Sequence, residues 1–153
     1  METTSLVKLI EEDGAVCIPS GLKVTVYPSW IVEGEDRLSY TTLVRLIECC
    51  REHHWQTDVL PQVQGVQLDS ICKSIAATFT KPVLVGRVIS ITYEVTAVRE
   101  KGYSLRFSVY DAVEQTLCAE VDLVLVFYDP VAHQPISPPA TVFNYLVSVR
   151  NQP

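Results

Sequence analysis

Three carboxylates gather around the start and the edge of one helical run. Glu33 and Asp36 lie in the acidic stretch Glu33-Gly34-Glu35-Asp36, and Glu48 lies in Leu46-Ile47-Glu48-Cys49-Cys50-Arg51. A carboxylate beside a buried stripe can serve as a general base, because loss of solvent disfavours its charged form and raises its pKa toward neutrality. Glu48 has that position. Its plainer reading is an ion pair with Arg45 or Arg51, each three residues away. Asp36 reads either as a base or as an acid stabilised by the positive end of the helix dipole. Glu33 reads either as a base or as a solvated loop acid. Tyr40 and Thr42 are placed to orient water or substrate, or simply to pack the first turn.

A cysteine nucleophile has less support. Cys50 and His54 are four apart and share a helix face, but no third group to orient the histidine is apparent. The five cysteines, Cys17, Cys49, Cys50, Cys72 and Cys118, are odd in number, form no Cys-x-x-Cys and sit among apolar residues. They read as small buried hydrophobes rather than a disulfide framework. His53, His54 and His133 make no metal-ligand spacing, so neither a metal nor another cofactor is expected.

These side chains need elements to position them. The 153 residues carry a net charge of −6, with 48% hydrophobic and 20% charged side chains. That is one domain's worth of chain with ample apolar material for a core. One domain over 1–153 is expected, with 1–20 as a lead-in and 129–153 as a proline-rich tail. No Lys/Arg cluster exceeds a dipeptide, which argues against nucleic acid as a partner. No stretch approaches the roughly 18 apolar residues of a membrane-spanning helix. Met1–Asp13 carries Glu2, Glu11, Glu12 and Asp13, unlike a secretory or transit signal, so a cytoplasmic location is expected.

Leu22–Tyr27 alternates apolar and polar residues and predicts a first strand, stopped by Pro28. Trp30–Asp36 predicts an irregular acidic loop. Leu43, Leu46, Ile47, Cys50 and His54 form one apolar stripe at helical spacing within Leu38–Trp55, and Ser39 is a fitting N-cap. Tyr40, Val44 and Glu48 form a column along its side. Gln56–Gly65 predicts a loop. Four alternating strands follow, over 67–80, 83–98, 103–110 and 116–128. In the first of these, Ile71, Ile75, Ala77 and Phe79 share a face that Lys73 interrupts. In the second, Ile89, Ile91, Tyr93, Val95 and Ala97 share a face, and Gly86 marks a bulge or bend. Arg99–Gly102 and Asp111–Gln115 are turns. Val124 and Val126 make the last strand apolar on both sides, so its far end should be covered on both. Val142, Tyr145, Leu146 and Val149 predict a short C-terminal helix. One helix rarely covers a five-strand sheet with strands this long, and an isologous dimer that extends the sheet would bury the remainder.

The order of strand, central helix and four-strand meander ending in Asp129-Pro130 resembles the hotdog-fold acyl-CoA thioesterases of the 4-hydroxybenzoyl-CoA thioesterase type. Phe79-Thr80-Lys81-Pro82 before a long strand looks like that family's aromatic–x–x–Pro step. Glu48-Cys49-Cys50-Arg51 is similar to its helix pattern, an acid followed by small and basic residues. The family usually carries an Asp before the helix, followed by a Gly-rich or His/Asn-rich step. Here the stretch is Glu33-Gly34-Glu35-Asp36-Arg37-Leu38-Ser39-Tyr40. Counting back from Glu48 without a gap aligns Glu33 with that Asp, and a three-residue shortening aligns Asp36.

The resemblance implies an α+β hotdog fold, an antiparallel sheet of five to six strands wrapped around one long central helix. It implies hydrolysis of an acyl-CoA to free acid and coenzyme A, with coenzyme A present only as part of the substrate. A catalytic carboxylate would come from Glu48, Asp36 or Glu33, with Tyr40 beside it and the helix N-terminus holding the oxyanion. Ser39 and Thr42 would contact substrate, and Lys81 and Arg87 would meet the nucleotide phosphates. The assembly would be a homodimer or a dimer of dimers, with sites at subunit interfaces. The alternative is a non-catalytic hotdog module that binds acyl-CoA or acyl carrier protein, or serves as an assembly subunit.

Overall fold

The computed structural model describes residues 16–18, 21–25 and 36–150. Glu33, most of the Trp30–Asp36 loop, the lead-in before Val16 and the end of the predicted first strand lie outside the described residues. In chain order the elements are β1 (Val16–Ile18), β2 (Gly21–Thr25), α1 (Tyr40–His54), β3 (Asp69–Phe79), β4 (Val88–Arg99), β5 (Gly102–Asp111), β6 (Leu117–Asp129), β7 (Gln134–Pro135) and α2 (Ala140–Val149). The strands form one antiparallel sheet in the order β1-β2-β4-β5-β6-β3, with the two-residue β7 pairing on β6. Five strands carry the sheet, and β1 and β7 are short additions at its margins.

Alternation explains the curl around α1. Ile89, Ile91 and Val95 of β4, Tyr103, Leu105, Phe107 and Val109 of β5, and Val121, Leu123, Leu125 and Phe127 of β6 are all buried. They face Leu43, Leu46, Ile47, Cys50 and His54, which are buried on α1. Burying one such large side chain is worth about 1.5–3 kcal/mol relative to leaving it exposed. A sheet with one apolar face therefore wraps the single helical stripe, the hotdog architecture expected from the resemblance. Gly102 is required where β5 meets β6, because a Cβ there would collide with the carbonyl of Leu125.

The structure departs from strict alternation at three register shifts, one of them between Val109 and Tyr110, where Cys118 of β6 is left over. In β3 the register shifts between Cys72 and Ser74, leaving Lys73 without an opposite number. Ile71 pairs with Val126 on the outer face, while Ile75, Ala77 and Phe79 pair with Leu123, Val121 and Ala119 on the inner face. Ile71 therefore does not share a face with Ile75, and Ser70 and Cys72 join the inner side instead. In β4 the shift falls between Val95 and Ala97, so Ala97 pairs with Ser104 away from the core. An inserted residue reverses the side of every residue after it, which alternation counting cannot register.

Two connections also differ from expectation. The helix does not give way to a loop at Gln56. A π-helical turn, Trp55–Val59, and a 3₁₀ turn, Leu60–Gln62, continue it, because Trp55 and Val59 are buried and prolong the apolar stripe. Residues 83–87 do not belong to β4. Gly86 has φ +81° and turns the chain just before β4 begins at Val88. Val124 and Val126 are half-buried. α2 buries Val142 and Leu146, and Thr141 Oγ1 donates to the Gln62 carbonyl at 2.6 Å, tying the tail to the end of the helical segment.

Candidate active site

The start of α1 is fixed by backbone pairing. Leu38 N donates to Val83 O at 2.7 Å, and Val85 N donates to Asp36 O at 2.9 Å. Arg37 and Leu84 form an isolated bridge between them. Ser39 then caps the helix as its sequence position suggests, with Thr42 N donating to Ser39 Oγ at 3.2 Å. Across the gap, Thr80 N and Lys81 N both donate to Cys118 O, at 2.9 and 3.1 Å, which holds the β3–β4 connection against the start of β6.

Between these two anchored segments opens a cavity of about 700 Å³. Leu38, Leu43, Phe79 and Val83 supply apolar walls, and Arg37 and Lys81 supply positive charge. The first turn of α1 contains no acidic residue. The first amides of a helix have no intrahelical acceptor and carry the positive end of its dipole. An apolar cavity with a helix start and two cations in its lining, in a chain of net charge −6, suits an anionic or polarised ligand head on an apolar body.

The sequence candidates separate in space. Ser39, Tyr40 and Lys81 line the cavity. Thr42 sits just behind, where Ser39 Oγ donates to its Oγ1 at 3.4 Å. Asp36 is exposed and precedes the cavity residue Arg37. Glu48 lies two helical turns beyond Tyr40, about 12 Å along the axis. Arg51 Nε donates to Glu48 Oε2 at 3.0 Å, and Arg51 Nη2 donates to Oε1. Arg87 lies outside the cavity lining and pairs with Asp111 at 2.8 Å and Glu114 at 3.0 Å. Lys81 Nζ also pairs with Glu114, at 3.1 Å. Glu114 had no signal in the sequence, because it meets these cations only when the turn after β5 folds back toward the β3–β4 connection.

Among the described residues the thiols and histidines form no nucleophilic pair. Cys50 is fully buried, with its Sγ 3.9 Å from the Ile91 carbonyl. His54 is 1% exposed, and both ring nitrogens are engaged: Nδ1 with Asp58 Oδ2 at 2.9 Å and Nε2 with the Tyr103 hydroxyl at 3.0 Å. Burial, with Glu48 and Glu52 nearby, pushes the Cys49 thiol up to about 11, so it stays protonated at neutral pH. Burial alone would raise Asp58. Hydrogen bonds with His54 and Tyr93 outweigh it and hold that carboxyl below its ordinary value. Among the described residues no three His, Cys, Asp or Glu side chains group as a metal site, and no helix is long and apolar enough to cross a membrane.

No protein-family model and no curated protein sequence matches the chain. Solved structures do match it. A probable thioesterase of Escherichia coli, YbaW, superposes with a TM-score of 0.75 at 11% identity, covering 86% of this chain and 98% of its own. A hypothetical protein of Staphylococcus aureus, solved in complex with CoA, superposes with a TM-score of 0.75 at 12% identity, covering 88% and 85%. A 1,4-dihydroxy-2-naphthoyl-CoA thioesterase of Synechocystis gives 0.69 at 10% identity, covering 86% and 96%. At such identities the likeness is one of fold, and it assigns this chain the hotdog fold of thioesterase structures.

Proposed function

We propose that this protein hydrolyses the thioester of an acyl-CoA to a free acid and coenzyme A. The observation that carries the reading is the apolar cavity of about 700 Å³ at the start of α1, bordered by Lys81 and free of acids in the helix's first turn. A carboxylate takes a proton from water, the resulting hydroxide attacks the thioester carbon, and the C–S bond breaks. The thiol leaves with a proton, and helix-start amides hold the developing oxyanion. Asp36 is the favoured carboxylate because it directly precedes Arg37, a residue of the cavity lining. Glu33 is the next candidate on its place in the sequence alone. Glu48 is the more distant candidate, since both of its oxygens are engaged by Arg51. Tyr40 and Ser39 border the substrate, Thr42 supports Ser39, and Lys81 with Arg87 stands toward the phosphates.

The working unit is a homodimer. Ile75 and Phe79 are 48% and 50% exposed, although both belong to the inner, core-facing side of β3. β3 is an edge strand of 11 residues, and such a strand with bare apolar residues is readily covered by a second copy. The test is turnover of short, long and aryl acyl-CoAs, with thiol release followed by a dye and oligomeric state measured by sedimentation. Folded, dimeric protein that turns over none of them would end the proposal. The engagement of Glu48 by Arg51 favours one other reading, a module that binds acyl-CoA or acyl carrier protein without hydrolysis. Calorimetric binding without turnover would identify it.

A further inference from the structure

We propose that Glu114 is a specificity-determining residue that sets the affinity for phosphorylated carriers by competing with their phosphates for Lys81 and Arg87. The inference rests on the hydrolase reading and names a residue that reading does not use.

Glu114 bridges two cations of the β3–β4 connection. Its Oε2 meets Lys81 Nζ at 3.1 Å, and its Oε1 meets Arg87 Nη2 at 3.0 Å. Lys81 lines the cavity, whereas Glu114 does not. The turn that presents Glu114 is braced. Asp111 Oδ1 accepts from both Val113 N and Glu114 N at 2.9 Å, Gln115 N donates to Asp111 O at 2.8 Å, and Gln115 adopts φ +57°. Asp111 also keeps Arg87 through Nε at 2.8 Å. The cluster thus sets two cations against two carboxylates and is neutral beside the cavity. An arriving phosphate is a stronger multivalent acceptor than one carboxylate, so it can take Lys81 from Glu114, whereas an uncharged ligand cannot. The exchange makes a phosphate displace Glu114 before Lys81 can hold it.

Removing the Glu114 charge leaves the cluster with one uncompensated cation, and that cation is Lys81, since Asp111 retains Arg87. Glu114→Gln is expected to bind coenzyme A roughly two- to fivefold more tightly, as befits release of an exposed ion pair. It should steepen the dependence of binding on salt and leave pantetheine, which has no phosphate, unchanged. The gain should vanish in the Lys81→Gln background, since the two residues then no longer couple. Glu100→Gln, in the turn at the far end of β5 roughly 30 Å away, makes the same change of net charge and should bind as wild type. The measurements are calorimetric titrations of free coenzyme A and of pantetheine at two salt concentrations, beside turnover of the matching thioesters. An equal gain for both ligands, no gain in protein that hydrolyses acyl-CoA, or a gain that survives Lys81→Gln overturns the competition and leaves the hydrolase reading standing. Absence of both coenzyme A binding and turnover in the wild type overturns the two together.

Discussion

Arg51 and Glu48 form a forked ion pair on one face of α1, and the third arm of the guanidinium reaches off the helix to Ser70 Oγ on β3 at 3.3 Å. Arg51 is mostly covered, with 13% of its side chain exposed against 45% for Glu48. The pair therefore also links the central helix to the edge strand. Arg51→Met keeps the apolar stem and removes the fork. The expected loss is about 1 kcal/mol after solvent screening of the half-exposed partner. Urea unfolding measures it, and an unchanged midpoint would show that the fork adds nothing.

The same pair separates the catalytic candidates. Asp36→Asn is expected to lower kcat by about a hundredfold or more, the usual contribution of a general base. Glu48→Gln is expected to cost less than about tenfold in kcat, because its charge is committed to Arg51. Glu33→Gln measured beside them tests the next candidate. A collapse confined to Glu48→Gln would reverse the assignment.

His54 and Tyr103, 49 positions apart, meet at 3.0 Å in the core with both side chains fully or nearly buried. Tyr103→Phe leaves a ring nitrogen of His54 without its partner in a site too enclosed for easy solvation. The expected cost is about 1–3 kcal/mol, which is ~2–4 °C of Tm per kcal/mol for a chain of this size. Tyr93→Phe removes a donor to Asp58, whose side chain is 29% exposed, and should cost less. Calorimetric melting of the two variants decides the order.

Acid should weaken the fold. Asp58 is held below its ordinary value by His54 and Tyr93 against the effect of burial. Asp111 is lowered first by the Glu114 amide, and Glu114 first by Lys81. Unfolded Asp and Glu titrate near about 4. A carboxylate depressed in the folded state contributes stability that is fully present above that value and is lost as pH falls through its lower folded pKa. Urea midpoints should be level from pH 7 to about 5 and decline below about 4. A midpoint that rises on acidification below pH 4 would contradict the assignment.

Cys72 is the exposed thiol among Cys49, Cys50, Cys72 and Cys118. In a Cys17→Ser background it should be the first site alkylated in native protein, more slowly than a free thiol because burial raises its pKa. If β3 is the dimer edge, its rate should fall as protein concentration rises through the association range. Mass spectrometry of timed samples reads both. Labelling that is indifferent to concentration would move the interface away from β3.

The stripe Leu43–His54 and the alternation of β4, β5 and β6 were legible because burial imposes a period on composition, and a period can be counted along the chain. The Ser39 cap was legible because capping acts over three residues. The bulges at Lys73 and Thr96 were not, since one inserted residue leaves local composition unchanged while reversing every side chain after it. The helical continuation through Gln62 was hidden because the polar run Gln56-Thr57-Asp58 and Pro61 resemble a loop, and only the buried Trp55 and Val59 reveal the packing that sustains it.

The sequence by itself determined one early amphipathic helix, a meander with one apolar face, and a set of acids near the helix start. Tertiary structure alone decided which of those groups meet. Pairing of Asp36–Leu38 with Val83–Val85 created the cavity, folding of the 111–115 turn set Glu114 on Lys81 and Arg87, and the packing of β3 beside α1 set Ser70 on Arg51. Periodic burial is a local property of the chain. The neighbours of a charge are set by segments tens of residues apart, which no spacing in one sequence encodes.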